Sequence, residues 1–195
     1  MRLKALNKRR IQPMLRNSAS RYGWPHQLIH WLMAVAIIGM FTVGLYMEDL
    51  PLGPDKLKLY GLHKSVGSIL LAAVVLRYFW RIINPVPSLS HMTKMEGLGA
   101  HLGHYALYAL MLALPVSGWL MSSAAGFPVS VFGWFTLPDL IAPDRNTAAL
   151  LQEVHELLAF AIILTAAGHA LAALYHHFIK QDTVLRRMLP WSKLD

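Results

Sequence analysis

Four apolar stretches, residues 28–47, 65–83, 100–125 and 157–179, leave this chain few ways to fold. Each is long enough to cross a hydrocarbon layer, which takes roughly 17–25 mostly apolar residues. Backbone N–H and C=O groups meet no water there and must pair within the segment, so each stretch reads as a helix. The runs are too long, and too rich in Ala, Leu and Met, for strands. Composition agrees: 55% of the 195 residues are hydrophobic and 14% are charged, against about a quarter charged in a soluble domain. The expected fold is an all-α membrane protein, a four-helix transmembrane bundle occupying residues 22–190 as one domain. A basic extension, residues 1–21, precedes it, and a short tail, residues 191–195, follows.

Four crossings place the N-terminus, the 84–99 loop and the C-terminus on one side. That side, with Arg77 and Arg81 at the end of the second helix, holds 14 of the 18 basic residues and 3 of the 10 acids. The opposite side holds 4 and 7. Lys and Arg near span ends mark the cytoplasmic face, so both termini are expected in the cytoplasm. The net charge of +8 is then a topology signal. Nucleic-acid binding is excluded, because the basic residues are split among short segments flanking the spans. Arg9-Arg10 has the look of a twin-arginine export signal, but the apolar run begins far downstream, and the first span is expected to be retained. The 126–149 segment reads as a partly apolar loop lying along the outer membrane surface.

Cysteine is absent. Disulfides, iron–sulfur clusters, thiolate-held haem and C-x-x-C-H attachment are therefore ruled out, and any metal must rest on His, carboxylate or Met. Ten histidines are available. His30 lies near the cytoplasmic start of the first helix, and His63 is expected to begin the second on the outer side. His101 and His104 open the third on the cytoplasmic side. His155 is expected to begin the fourth outside, with His169, His176 and His177 further along it.

His155 and His169 are fourteen residues apart, about 21 Å of helical rise, and their side chains return to within about 40° of each other. They share a face at opposite membrane depths. His63 matches the depth of His155, and His30 that of His169, which gives two stacked bis-histidine pairs. Such spacing does not suit a compact zinc site, whose ligands converge within about 2 Å of one ion. Carboxylates are too scarce inside the spans for a di-iron site or for a proton or metal transporter. A haem fits better: it is flat, apolar, and needs one histidine on each side of its iron. Small residues near the pairs, among them Gly39, Gly44, Gly67, Ala72, Ala73, Gly168 and Ala172, suit a macrocycle lying between helices and equally suit ordinary close packing of membrane helices.

The motifs "HQLIHWLM", "YGLHKSVG", "GLGAHLGHYALYALMLALPVSGWLM" and "EVHELLAFAIILTAAGHALAALYHHF", with "KQDTVLRRMLP" after them, resemble the bacterial cytochrome b561 family of small four-helix membrane proteins. The resemblance runs from about residue 22 to 190. It implies two non-covalent b haems, with His30, His63, His155 and His169 as axial ligands to the irons, in a protein of the bacterial inner membrane. It also implies electron transfer between an outer-face donor and ubiquinone. One branch resembles a superoxide oxidase, an oxidoreductase passing electrons to the quinone. Larger relatives serve as haem-bearing anchor subunits of hydrogenases and formate dehydrogenases, so the alternative is an electron relay for a partner enzyme. Arg77, Arg81, His101 and His104 are candidate contacts of the haem propionates. His176, two turns beyond His169, is the first candidate for binding or protonating quinone. The acidic outer face would not attract superoxide over long range, but Lys56, Lys58 and Lys64 offer a local positive funnel beside the outer pair.

Overall fold

The computed structural model describes residues 14–88, 92–190 and 192. Most of the basic extension, His91, Trp191 and residues 193–195 lie outside the described residues. Four long helices dominate: α1 (Trp24–Asp49), α2 (Pro54–Ile83), α3 (Lys94–Ala124) and α4 (Arg145–Phe178). All four are long and apolar enough to cross a membrane. A two-residue-per-strand hairpin, β1 (Ser130–Val131) with β2 (Phe135–Thr136), joins α3 to α4, and one 3-10 turn, Arg186–Met188, follows α4.

The helix starts are chemically marked. Pro occupies the first turn of α1 and α2, where its missing N–H has no helical partner to lose. Thr93 and Glu96 form a reciprocal capping box at α3, satisfying two orphan donors at once. Asp144 caps α4 by accepting from Thr147 N at 2.7 Å. These signals start α2 and α4 well before the apolar runs. His63 and His155 therefore lie between two and three turns inside their helices, rather than beginning them. The polar residues ahead of each run extend the helix because capping does not require hydrophobicity.

Few side chains are fully buried. Among the described residues the buried hydrophobic side chains are Met33, Val74, Ala124, Val129, Val131 and Ile162. Large apolar side chains such as Val35, Leu76 and Leu164 point outward, as expected where lipid tails replace water and give no penalty for apolar exposure. Helix α3 packs most extensively on α4, with α1 on α2 and α2 on α3, while α1 and α4 touch at few positions. The inward-facing polar residues are thus left to define what lies between the helices.

The two ends of the bundle are closed differently. At the hairpin end, Phe132 and Gly133 both have positive φ, and Trp134 N donates to Val131 O at 3.0 Å, the tight turn that matches strand twist. Ser65 of α2 fastens this hairpin, accepting from Phe132 N at 3.0 Å and sharing its one hydroxyl hydrogen between Gly61 O at 2.8 Å and Ser130 O at 3.0 Å. The expected surface loop is therefore a pinned hairpin, with Phe127, Trp134 and Phe135 exposed. At the other end a cap is knitted from three segments. Arg21 Nη2 donates to Leu189 O and Pro190 O, Gln27 Nε2 to Arg187 O, and Trp31 Nε1 to Met188 O. Asn17 Nδ2 donates to Pro85 O and Arg187 Nη1 to Ser88 O. Gly23 belongs here because a Cβ on it would stand 2.5 Å from Leu15 O.

Candidate functional site

The four histidines singled out by depth come together as two pairs. His30 of α1 faces His169 of α4 with ring centroids 6.3 Å apart. His63 of α2 faces His155 of α4 at 6.4 Å. Two metal–nitrogen bonds of about 2 Å, plus about 1.2 Å from each nitrogen to its ring centre, add to about 6.4 Å. Both gaps therefore match one iron atom held between two imidazoles. Among the described residues no group of three or more His, Asp or Glu converges as a compact metal cluster. The residues present thus fit two separate bis-histidine haem sites.

Near the hairpin end, His155 Nδ1 lies 3.0 Å from Ser117 Oγ and 3.1 Å from Leu114 O, both on α3. Gly118 lies against the same ring: a Cβ there would stand 2.9 Å from His155 Cε1. On the partner side, Gly44 of α1 faces His63, where a Cβ would stand 3.6 Å from Cε1. His63 Nδ1 is buried without a hydrogen-bond partner among the described residues. Gly118 is thus required for the approach of α3 to the His155 ring, whereas a Cβ at Gly44 would make only ordinary contact with His63. Around Gly39 and Gly168 there is open space instead.

Near the capped end, a cationic cluster surrounds the second pair. Arg77 is 9% exposed. Its Nη2 lies 3.0 Å from His30 Nδ1, its Nε 3.4 Å from the Tyr108 hydroxyl and its Nη1 4.0 Å from Met33 Sδ. Arg77 and Arg81 share the Tyr108 ring, at 5.9 and 5.5 Å. Neither forms an ion pair with a carboxylate among the described residues. A buried guanidinium without an anion is costly, and a haem propionate is the kind of anion that would relieve it. A ring ligating through Nε2 would keep its proton on Nδ1, and Arg77, a donor only, would then have no acceptor at His30 Nδ1.

The other sequence candidates separate. His104 lies beside the second pair, 5.3 Å from the His169 ring. His101 is exposed and is not brought to it. His176 is buried, with Nδ1 2.5 Å from Asp182 Oδ2. Two lysines of the expected funnel are held by neutral acceptors and keep their charge: Lys56 Nζ donates to Glu48 O and Leu50 O, and Lys64 Nζ to Ser122 Oγ, Phe127 O and Pro128 O. The carbonyls that hold Lys56 lie at the end of α1 and those that hold Lys64 lie in the loop after α3, and Lys58 is exposed. Sequence reasoning missed Ser117, Gly118, Tyr108 and Asp182. For the first two the usable signal was a polar residue and a glycine just after Pro115, inside an apolar helix.

Comparison with known proteins gives the same direction. The family described as prokaryotic cytochrome b561 matches residues 21–191. "Cytochrome b561 homolog 2" of Escherichia coli (strain K12) is 41% identical over 181 residues, covering 92% of this chain and 96% of the relative. "Probable superoxide oxidase CybB" of Yersinia pestis is 29% identical over 165 residues, covering 83% and 92%. "Cytochrome b561 homolog 1" of Escherichia coli (strain K12) is 37% identical over 94 residues, covering 48% and 53%. With four membrane-spanning helices and a match over nearly its whole length, the chain belongs to the prokaryotic cytochrome b561 family of bacterial membrane electron-transfer proteins.

Proposed function

We propose that the chain is an oxidoreductase of the bacterial inner membrane that moves electrons from a one-electron donor at the outer face, superoxide foremost, to ubiquinone. The observation that carries this reading is the two imidazole pairs, 6.3 and 6.4 Å between ring centres, at opposite depths of one bundle. His63 and His155 would hold the outer b haem, and His30 and His169 the inner one. When bound, haem supplies one-electron chemistry at its iron. The basic end, with both termini, faces the cytoplasm, and residues 22–190 carry the activity. A relative named "Probable superoxide oxidase CybB" supports superoxide as donor.

The remaining roles belong to the protein's own side chains. Arg77 and Arg81 neutralise the inner propionates, with His104 beside them, and Tyr108 orients the two guanidinium groups. His176 relays protons to the quinone head group: Asp182, bonded to its Nδ1, keeps one proton on that nitrogen, so Nε2 takes up a second proton from the cytoplasmic side and hands it to the quinone. Quinone reduction to quinol takes two electrons and two protons, so a cytoplasmic acid–base pair has a defined task.

The test is a reduced-minus-oxidised spectrum of the purified protein with haem counted per chain, followed by superoxide-driven quinone reduction. Two six-coordinate b haems and quinol formation by the protein alone are expected. A single haem would overturn the paired reading. Two haems with quinone reduction only in the presence of a co-purified enzyme would establish the anchor-subunit alternative instead.

A further inference from the structure

We propose that Ser117 and Gly118 form a seat on α3 that fixes the tautomer and orientation of His155, making Ser117 a positioning residue that tunes the outer haem. The inference rests on the reading of His63 and His155 as a ligand pair. It begins with donor and acceptor bookkeeping. Ser117 Oγ lies 2.8 Å from Leu114 O, and a carbonyl only accepts, so the serine hydroxyl hydrogen is committed to it. The serine oxygen is then left to accept. His155 Nδ1 faces this oxygen at 3.0 Å and the same carbonyl at 3.1 Å. Both are acceptors toward the ring, so Nδ1 carries the proton and Nε2 carries the lone pair that binds metal.

Gly118 sets the ring's position from the next residue along. A Cβ there would stand 2.9 Å from His155 Cε1 and 3.2 Å from Nδ1. No real Cβ sits so close to another heavy atom, so any side chain at 118 must push the imidazole away from its acceptors. Pro115 lies in the same turn of α3 and has no N–H of its own. The hydroxyl and the missing Cβ thus act on one ring from adjacent positions. The second pair has a different environment, because His30 Nδ1 faces the donor-only Arg77. The seat is therefore specific to the outer pair. Accepting the Nδ1 proton makes the imidazole a stronger donor to the metal, which favours oxidised iron and lowers the potential of the outer haem.

The experiment is spectroelectrochemical titration of the di-haem protein carrying Ser117→Ala, Ser117→Thr or Gly118→Ala, with electron paramagnetic resonance of each haem. Ser117→Ala is expected to raise the reduced-to-oxidised ratio of the outer haem at fixed potential by about threefold to tenfold, where tenfold is about 59 mV for a one-electron couple. The inner haem stays at its wild-type value, and Ser117→Thr restores the outer one. Gly118→Ala is expected to shift the outer g-values or release the outer haem alone. An outer haem unchanged in Ser117→Ala, or a change confined to the inner haem, overturns the proposal. Where Ser117→Ala does not accumulate, Gly118→Ala decides: an unmoved outer signal overturns the seat. A wild-type protein holding one haem overturns the ligand pairing itself, a different failure, visible before any variant is made.

Discussion

Removing one outer ligand should cost one haem and leave the other nearly untouched. In His63→Ala the imidazole facing His155 across 6.4 Å is gone, and a methyl group cannot bridge that gap. The outer haem loses an axial bond and is expected to leave during purification, halving the haem count per chain. The inner pair is remote. His155 and His169 share α4 and are separated by about 21 Å of rise, beyond the roughly 7–10 Å within which substitutions couple through contacts. What remains is charge. One unit charge at about 21 Å, with an effective dielectric constant of about 20, contributes about 0.8 kcal/mol. That is about 35 mV for a one-electron couple, from the relation of about 59 mV per tenfold. The inner midpoint should therefore fall by no more than about 35 mV when the positive oxidised neighbour is removed. Haem extraction with a redox titration of the remaining α-band checks both numbers. Loss of the inner haem with the outer retained would refute the pairing. An inner shift well above 100 mV, about three times the Coulomb ceiling, would refute the separation in depth.

Other outcomes follow from single contacts. Arg77→Leu removes the buried cation beside His30 and is expected to weaken retention of the inner haem alone, read from haem loss on dilution into detergent. Ser65→Ala deletes the acceptor of the Phe132 amide, a bond worth about 1 kcal/mol net, so exchange of that amide should accelerate about fivefold while the helices keep their protection. At Tyr22, burial raises the phenol above its ordinary value of 10.0, outweighing the lowering effect of Arg81. A raised acid favours the neutral form in the folded state, so this contribution is full below about pH 10 and is lost as pH rises through the elevated value. Tryptophan fluorescence of the cap should show an alkaline transition that Tyr22→Phe removes.

How much of this was written in the chain differs from part to part. The spans were legible because lipid imposes a long uninterrupted apolar run, a signal that survives without knowing any neighbour. The histidine pairs were legible because helical rise converts sequence spacing into depth, and α4 carries one member of each pair. The helix starts were less so: Pro54 opens α2 in its first turn and Asp144 caps α4, and hydropathy registers neither. The seat at Ser117 depends on how α3 rotates against α4, which is decided by packing of small residues and leaves no periodic trace. The backbone carbonyls that hold Lys56 and Lys64 left no trace, because a sequence does not reveal which loop oxygens fold back onto a side chain.

The cap at the basic end also fixes an order of events. Its bonds join Arg21 to Leu189, Gln27 to Arg187 and Trp31 to Met188 across more than 150 residues each. A ribosome releases the first partner of every one of these bonds long before the second. The hairpin end, by contrast, is fastened between Ser65 and residues 130–132 while α4 is still unmade. The part of the cap contributed by residues 187–190 can therefore close only after α4 has been made. A destabilised cap would show itself as a protein that inserts normally yet remains open to proteases at its basic end.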